Sequence, residues 1–105
     1  MRSIVSNDSL CLICKSPYHL QMHNIFYGNG LEELSKKYGC WCYLCARHHF
    51  SVFVGAHCNA KIDKKLKAHT QKKFTEAYPE LDFVKIFGVD YLKVTKSERE
   101  NEQVY

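Results

Sequence analysis

Two short ligand pairs constrain this chain more than anything else in it: Cys11-Leu12-Ile13-Cys14 near the start and Cys45-Ala46-Arg47-His48 near the middle. In each pair two residues separate the donor side chains, the interval at which one tight turn aims both at the same point. Together Cys11, Cys14, Cys45 and His48 make a Cys3His set, four corners of a tetrahedron, and the expectation is a structural Zn²⁺ ion. The consequence for folding is large. A chain of 105 residues buries only roughly 60 to 65% of its extended surface and gains from a staple. Binding free energy at structural zinc sites is of order 10 kcal/mol, enough to decide whether so small a body folds.

Three other cysteines compete for the ligand roles. In an extended Cys40-Trp41-Cys42-Tyr43-Leu44-Cys45 segment, Cys40 and Cys42 face away from Cys45, so core burial suits both. Cys58, beside His57 and ahead of a long helix, reads as a buried or free thiol. Residues 1–6 carry no signal-peptide apolar run, so the thiols are expected to be reduced and the protein cytoplasmic. No stretch approaches the roughly 18 apolar residues of a membrane span, and no membrane partner is expected.

Net charge is +4, from 15 Lys and Arg against 11 Asp and Glu, and it is unevenly spread. Arg47, Lys61, Lys64, Lys65, Lys67, Lys72 and Lys73 face one acid, Asp63, over the same stretch. Such a stripe suits phosphates, and equally suits a solvated helix face.

The pattern along the chain is α+β. Leu20 to Phe26 alternates as a strand, with Leu20, Met22 and Asn24 on one face and His23 and Ile25 on the other. Gly28-Asn29-Gly30 breaks it, Leu31 to Lys37 suits a short helix, and Gly39 suits its C-terminal cap. Residues 40–45 read as a second strand and 50–55 as a connection. Asn59 is placed to cap a long helix running to Tyr78, with Ile62, Leu66, Phe74, Ala77 and Tyr78 buried. After Pro79 a shorter helix carries Leu81, Phe83, Val84 and Phe87, ends at Gly88, and is plugged by Tyr91-Leu92. The folded domain is expected over residues 1–93, with a polar C-terminal tail over 94–105.

Of the remaining histidines, His69 reads as an ordinary polar or satisfied core group in mid-helix. His23, His49 and His57 each adjoin an element that zinc would fix, and the three together could hold a second, catalytic divalent ion. At this point a resemblance enters. Met22-His23-Asn24-Ile25-Phe26-Tyr27-Gly28, Leu34-Ser35-Lys36-Lys37-Tyr38-Gly39, Leu44-Cys45-Ala46-Arg47-His48-His49 and Ala56-His57-Cys58-Asn59 resemble small phage and prophage proteins of the HNH, or ββα-metal, nuclease superfamily. These are akin to the phage recombination-enhancement nucleases. The likeness runs from about Cys11 through Leu92.

That resemblance implies a zinc-stapled ββα-metal core of β-hairpin and helices, cutting phosphodiester bonds of DNA, with RNA as an alternative substrate, in a bacterial host. His23 and His49 then match ligands of a catalytic Mg²⁺ or Mn²⁺ ion, and His57 matches a further histidine of the smaller group. Asn24 falls on the general-base position and is a departure, because a carboxamide cannot accept a proton from the attacking water. Three accounts of it stand: an inactivating substitution in a competent nuclease, a native feature of a descendant that lost cutting, or a base role taken over by His19. Two further function classes stay open beside the endonuclease. One is a non-enzymatic module that binds nucleic acid through its lysines, with Trp41 and Phe50 as candidate stacking residues and core packing favoured for Trp41. The other is a nuclease fold that inhibits a host protein. A homodimer would suit cleavage of both strands.

Overall fold

Leu20–Asn24 and Trp41–Cys45 form β1 and β2, an antiparallel hairpin in register Leu20 with Cys45, Met22 with Tyr43 and Asn24 with Trp41. The computed structural model describes residues 2–28, 30–51, 55–56 and 59–92. Between the strands lies α1, Leu31–Tyr38. After them come α2, Ala46–Phe50, the long α3, Ala60–Ala77, and α4, Phe83–Phe87. The architecture is thus a small α+β one, with a two-stranded sheet and four helices among the described residues. No helix among these residues is long and apolar enough to cross a membrane. The tail expected from residue 94 lies outside the described residues.

Local chemistry accounts for most of the boundaries. α1 carries Glu32 and Glu33 in its first turn and Lys36 and Lys37 in its last, charges that oppose the helix dipole favourably. It stops at Gly39, whose φ of 73° is left-handed, and where a Cβ would collide with the Arg2 carbonyl oxygen. Asn59 caps α3 by accepting the Lys61 and Ile62 amides on its side-chain oxygen. Asp82 does the same for α4 through Lys85, and Gly88 closes that helix.

The hairpin's inner face carries His23, Cys42 and Leu44, all buried, and α3 and α4 supply much of the core packed with it. Ile25 and Phe26 have left the strand, which ends at Asn24, yet are fully buried. Phe26 sits in an aromatic cluster with ring centroids 4.7 Å from Phe87, 5.1 Å from Phe83 and 5.5 Å from Tyr91. Phe74 joins it from α3, 5.4 Å from Phe83. Tyr91 therefore plugs the core, as expected of the segment after α4.

Several expectations need correction. Phe50, expected to begin a connection, instead ends α2, into which residues 46–50 wind, and this brings Cys45 and His48 together across one helical turn. Ala77, expected to be buried, is exposed, being the last residue of α3, and the inward contact passes to Tyr78. Leu81 and Val84 are exposed too, so Phe83 and Phe87, with half-buried Ile86, carry the inward face of α4. Trp41 is half-buried with its ring edge-on to Tyr43 on the outer hairpin face, rather than in the core. His69 is buried. His19 precedes β1 with a left-handed φ of 53° and is exposed, so strand alternation does not carry it onto the face of His23.

Ser35 ties α1 to the end of β1: its hydroxyl donates to the Phe26 carbonyl at 2.8 Å and accepts the Phe26 amide at 2.9 Å, fully buried. Ser35→Ala strands both backbone groups, and the expected cost is about 1 to 3 kcal/mol. It is read as a lower urea midpoint at unchanged slope.

Cys40 and Cys42 are fully buried, as reading them as core residues requires. Burial pushes both thiols up, Cys40 from 9.0 to about 12. A raised folded-state value means that the neutral thiol's contribution is complete below the ordinary value and is lost as pH climbs from there toward the folded one. Stability is expected to fall by about 2 kcal/mol per such thiol between pH 8 and 10.5. Comparing urea midpoints of the parent and Cys40→Ala across that range checks it: the variant loses this part of the slope.

Candidate metal centre and histidine site

The turn that carries Cys11 and Cys14 is closed by backbone bonds. The Cys11 amide donates to the Ser16 carbonyl at 2.9 Å and the Lys15 amide to the Cys11 carbonyl at 2.8 Å, with Lys15 itself at a left-handed φ of 65°. The Leu12 amide donates to the Tyr43 carbonyl at 2.9 Å, which docks the turn on β2. From the other side Cys45 ends β2 and caps α2, and one helical turn brings His48 round beside it. The Ala46 amide holds the His19 carbonyl at 3.0 Å, and the His48 carbonyl accepts the Ala56 amide at 2.8 Å.

The donor atoms of Cys11, Cys14, Cys45 and His48 all lie within 4.8 Å of one another. Zinc–sulfur and zinc–nitrogen bonds of about 2.3 and 2.0 Å set tetrahedral edges of roughly 3.5 to 3.8 Å. Here Cys14 Sγ stands 3.7 Å from Cys45 Sγ, Cys11 Sγ 3.8 Å from His48 Nδ1, and Cys45 Sγ 3.2 Å from His48 Nδ1. The donor set fits a metal ion such as zinc, and four protein ligands would close its coordination, the mark of a structural site.

Electrostatics favour the ligating forms of Cys11 and His48 and oppose that of Cys14. Burial opposes ionisation of Cys11, but the backbone amides of Cys14, Cys45 and Ile13 outweigh it and hold the thiol below its ordinary value. The Ser16 amide lowers Cys14, yet burial and the neighbouring Cys11 and Cys45 sulfurs leave it raised. That mutual repulsion is what a divalent cation would cancel. Burial, then the Arg47 charge, lowers His48, favouring the neutral imidazole that ligation needs.

A second constellation lies on the inner side of the hairpin. His23, on β1, is 1% exposed, and its ring centroid stands 5.1 Å from that of His49 at an interplanar angle of 74°. His49 is also buried, on α2 directly after the metal cluster. Its Nδ1 lies 2.6 Å from Gln21 Oε1. A carbonyl oxygen there requires Nδ1 to carry the proton, which directs the lone pair of His49 to Nε2.

No family model, curated protein or solved structure matches this chain.

Asn24 ends β1 opposite Trp41, with its Oδ1 buried and without a hydrogen-bond partner among the described residues. His57 and Cys58 lie outside the described residues. Sequence spacing missed Gln21, which alternation places on the His23 face. It also missed Tyr27, whose ring lies 5.9 Å from that of His23. Alternation alone could have found Gln21. Lys67, counted in the basic stripe, is instead tied to Asp63 at 2.7 Å and largely buried, whereas Arg47, Lys61, Lys64 and Lys72 are exposed.

Proposed function

We propose that this protein is a metal-dependent endonuclease of the HNH class that hydrolyses phosphodiester bonds of DNA, weakened in this sequence by Asn24. A structural zinc ion at Cys11, Cys14, Cys45 and His48 staples the fold, and His23 and His49, with His57, hold a catalytic Mg²⁺ or Mn²⁺ ion. The observation that carries the reading is the convergence of His23 and His49. Two imidazoles sharing one ion through nitrogens about 2.1 Å from it stand with centroids roughly 5 Å apart, against 5.1 Å here.

Each residue then has a task. Gln21 fixes the tautomer and plane of His49. The zinc cluster fixes α2, so that His49 meets His23 without a free hinge between them. Lys61, Lys64 and Lys72, exposed along α3, receive backbone phosphates, and such binding weakens steeply with salt. A bound divalent ion would supply the positive charge that steadies the scissile phosphate and the leaving oxygen. Asn24 stands where a neutral imidazole would take the proton of the attacking water, and its carboxamide can only orient that water.

The buried Asn24 Oδ1 also favours a second reading, a module that keeps nucleic-acid binding and has lost cutting. The assay that separates the two is nicking of supercoiled plasmid with Mn²⁺ by the parent and by Asn24→His: cleavage gained by the variant supports the nuclease, and salt-sensitive binding without cleavage in both supports the module.

A further inference from the structure

Beside His23, and outside both ligand sets, lies a cluster that the proposed chemistry does not use. The Tyr27 hydroxyl donates to Asp63 Oδ1 at 3.1 Å. Lys67 Nζ lies 2.7 Å from Asp63 Oδ2, with the two side chains 13% and 16% exposed. The same ammonium sits 4.3 Å from the centre of the Tyr27 ring and 5.7 Å from that of Tyr91. Tyr27 is thus held at its edge by a carboxylate and across its face by a cation, and both holding groups come from α3. Its ring in turn lies 5.9 Å from the His23 imidazole at 60°, so His23 has two aromatic neighbours, Tyr27 and His49.

A nearly buried ion pair is an expensive way to hold one phenol. Desolvating both charges opposes folding, and apolar packing would stabilise α3 against the hairpin at least as well. What a paired, hydrogen-bonded cluster supplies beyond packing is a fixed position, because a phenol held at two points cannot slide against its neighbour. His23 lies in β1, one residue before the strand ends and the chain bends, and Tyr27, beyond that bend, packs against the imidazole from outside the strand.

We infer that Tyr27, anchored by Asp63 and Lys67, is a positioning residue that sets the His23 imidazole toward the divalent ion. It couples the placement of the long helix to the geometry of the ion site. The inference rests on the proposed role of His23, and its test keeps the two apart.

Mn²⁺ binding is measured by the loss of the free-ion electron paramagnetic resonance signal, on zinc-loaded protein, for the parent, His23→Ala, Tyr27→Phe, Tyr27→Ala and Tyr78→Phe. Tyr78 donates to the Tyr38 carbonyl at 3.1 Å and serves as a hydrogen-bond-loss control. Losing a group that orients a ligand weakens metal binding by roughly 10- to 100-fold. The expected result is Mn²⁺ binding by the parent, its loss in His23→Ala, weakening of about 10-fold in Tyr27→Phe and more in Tyr27→Ala, and parent affinity in Tyr78→Phe. Zinc content, and a melting temperature above that of the assay, establish that each variant is folded. Should Tyr27→Ala fail to fold, Tyr27→Phe, which keeps the ring, decides. Parent affinity in Tyr27→Phe overturns the positioning role while leaving the ion site standing, and equal weakening in Tyr27→Phe and Tyr78→Phe overturns it as a mere stability effect. No Mn²⁺ bound by the parent overturns both readings.

Discussion

Cys14→Ser is expected to abolish stoichiometric zinc binding and, with it, the cooperative unfolding transition. Cys14 is the informative ligand because it is exposed, so its replacement by the isosteric serine removes almost no core packing. Any large loss then reports the metal. Apparent free energies of structural zinc sites are of order 10 kcal/mol, whereas domains of this size are stable by roughly 5 to 15 kcal/mol in total. Losing most of the former leaves the folded state near or below the balance point. The expected observations are less than one zinc per chain by elemental analysis and a broad, non-cooperative thermal melt, matched by the parent after chelation and reversed in the parent by added zinc. A folded, zinc-free Cys14→Ser variant with parental melting behaviour would mean that the cluster is an ordinary group of thiols.

Asn24→His is expected to raise Mn²⁺-dependent plasmid nicking by about 10² to 10⁴-fold, the usual contribution of a general base. The effect belongs to the chemical step, so it should appear in turnover at saturating DNA rather than in DNA affinity. A restored imidazole also predicts activity that rises with pH through the histidine range, as the neutral form accumulates. Asn24 Oδ1 is buried without a hydrogen-bond partner among the described residues, so replacing the carboxamide leaves no partner stranded. An inactive but folded Asn24→His protein, with Mn²⁺ bound, would favour the binding module.

Much of this arrangement is legible in the sequence, and the reason differs by element. The donor pairs are legible because ligation imposes a local interval, and the structure brings all four side chains together. The caps at Gly39, Asn59 and Gly88 are legible because each answers a backbone need with a residue type. Strand alternation places His23 and Cys42 inward. α2 escapes because five residues give no helical period. Alternation puts Gln21 on the face of His23, but its pairing with His49, like that of Tyr27 with Asp63, escapes because the partners meet across 28 and 36 residues of chain, a separation at which spacing carries no signal. Gln71 escapes likewise: buried on α3, it donates to Asp90 and accepts the Tyr91 amide, pinning the plug after α4.

The most direct test is anomalous scattering, at the zinc and manganese edges, from crystals of zinc-loaded protein soaked in Mn²⁺. One zinc peak enclosed by Cys11, Cys14, Cys45 and His48, and a separate manganese peak between His23 and His49, is the predicted result. A zinc position on other residues, or manganese absent from the paired imidazoles, would contradict it.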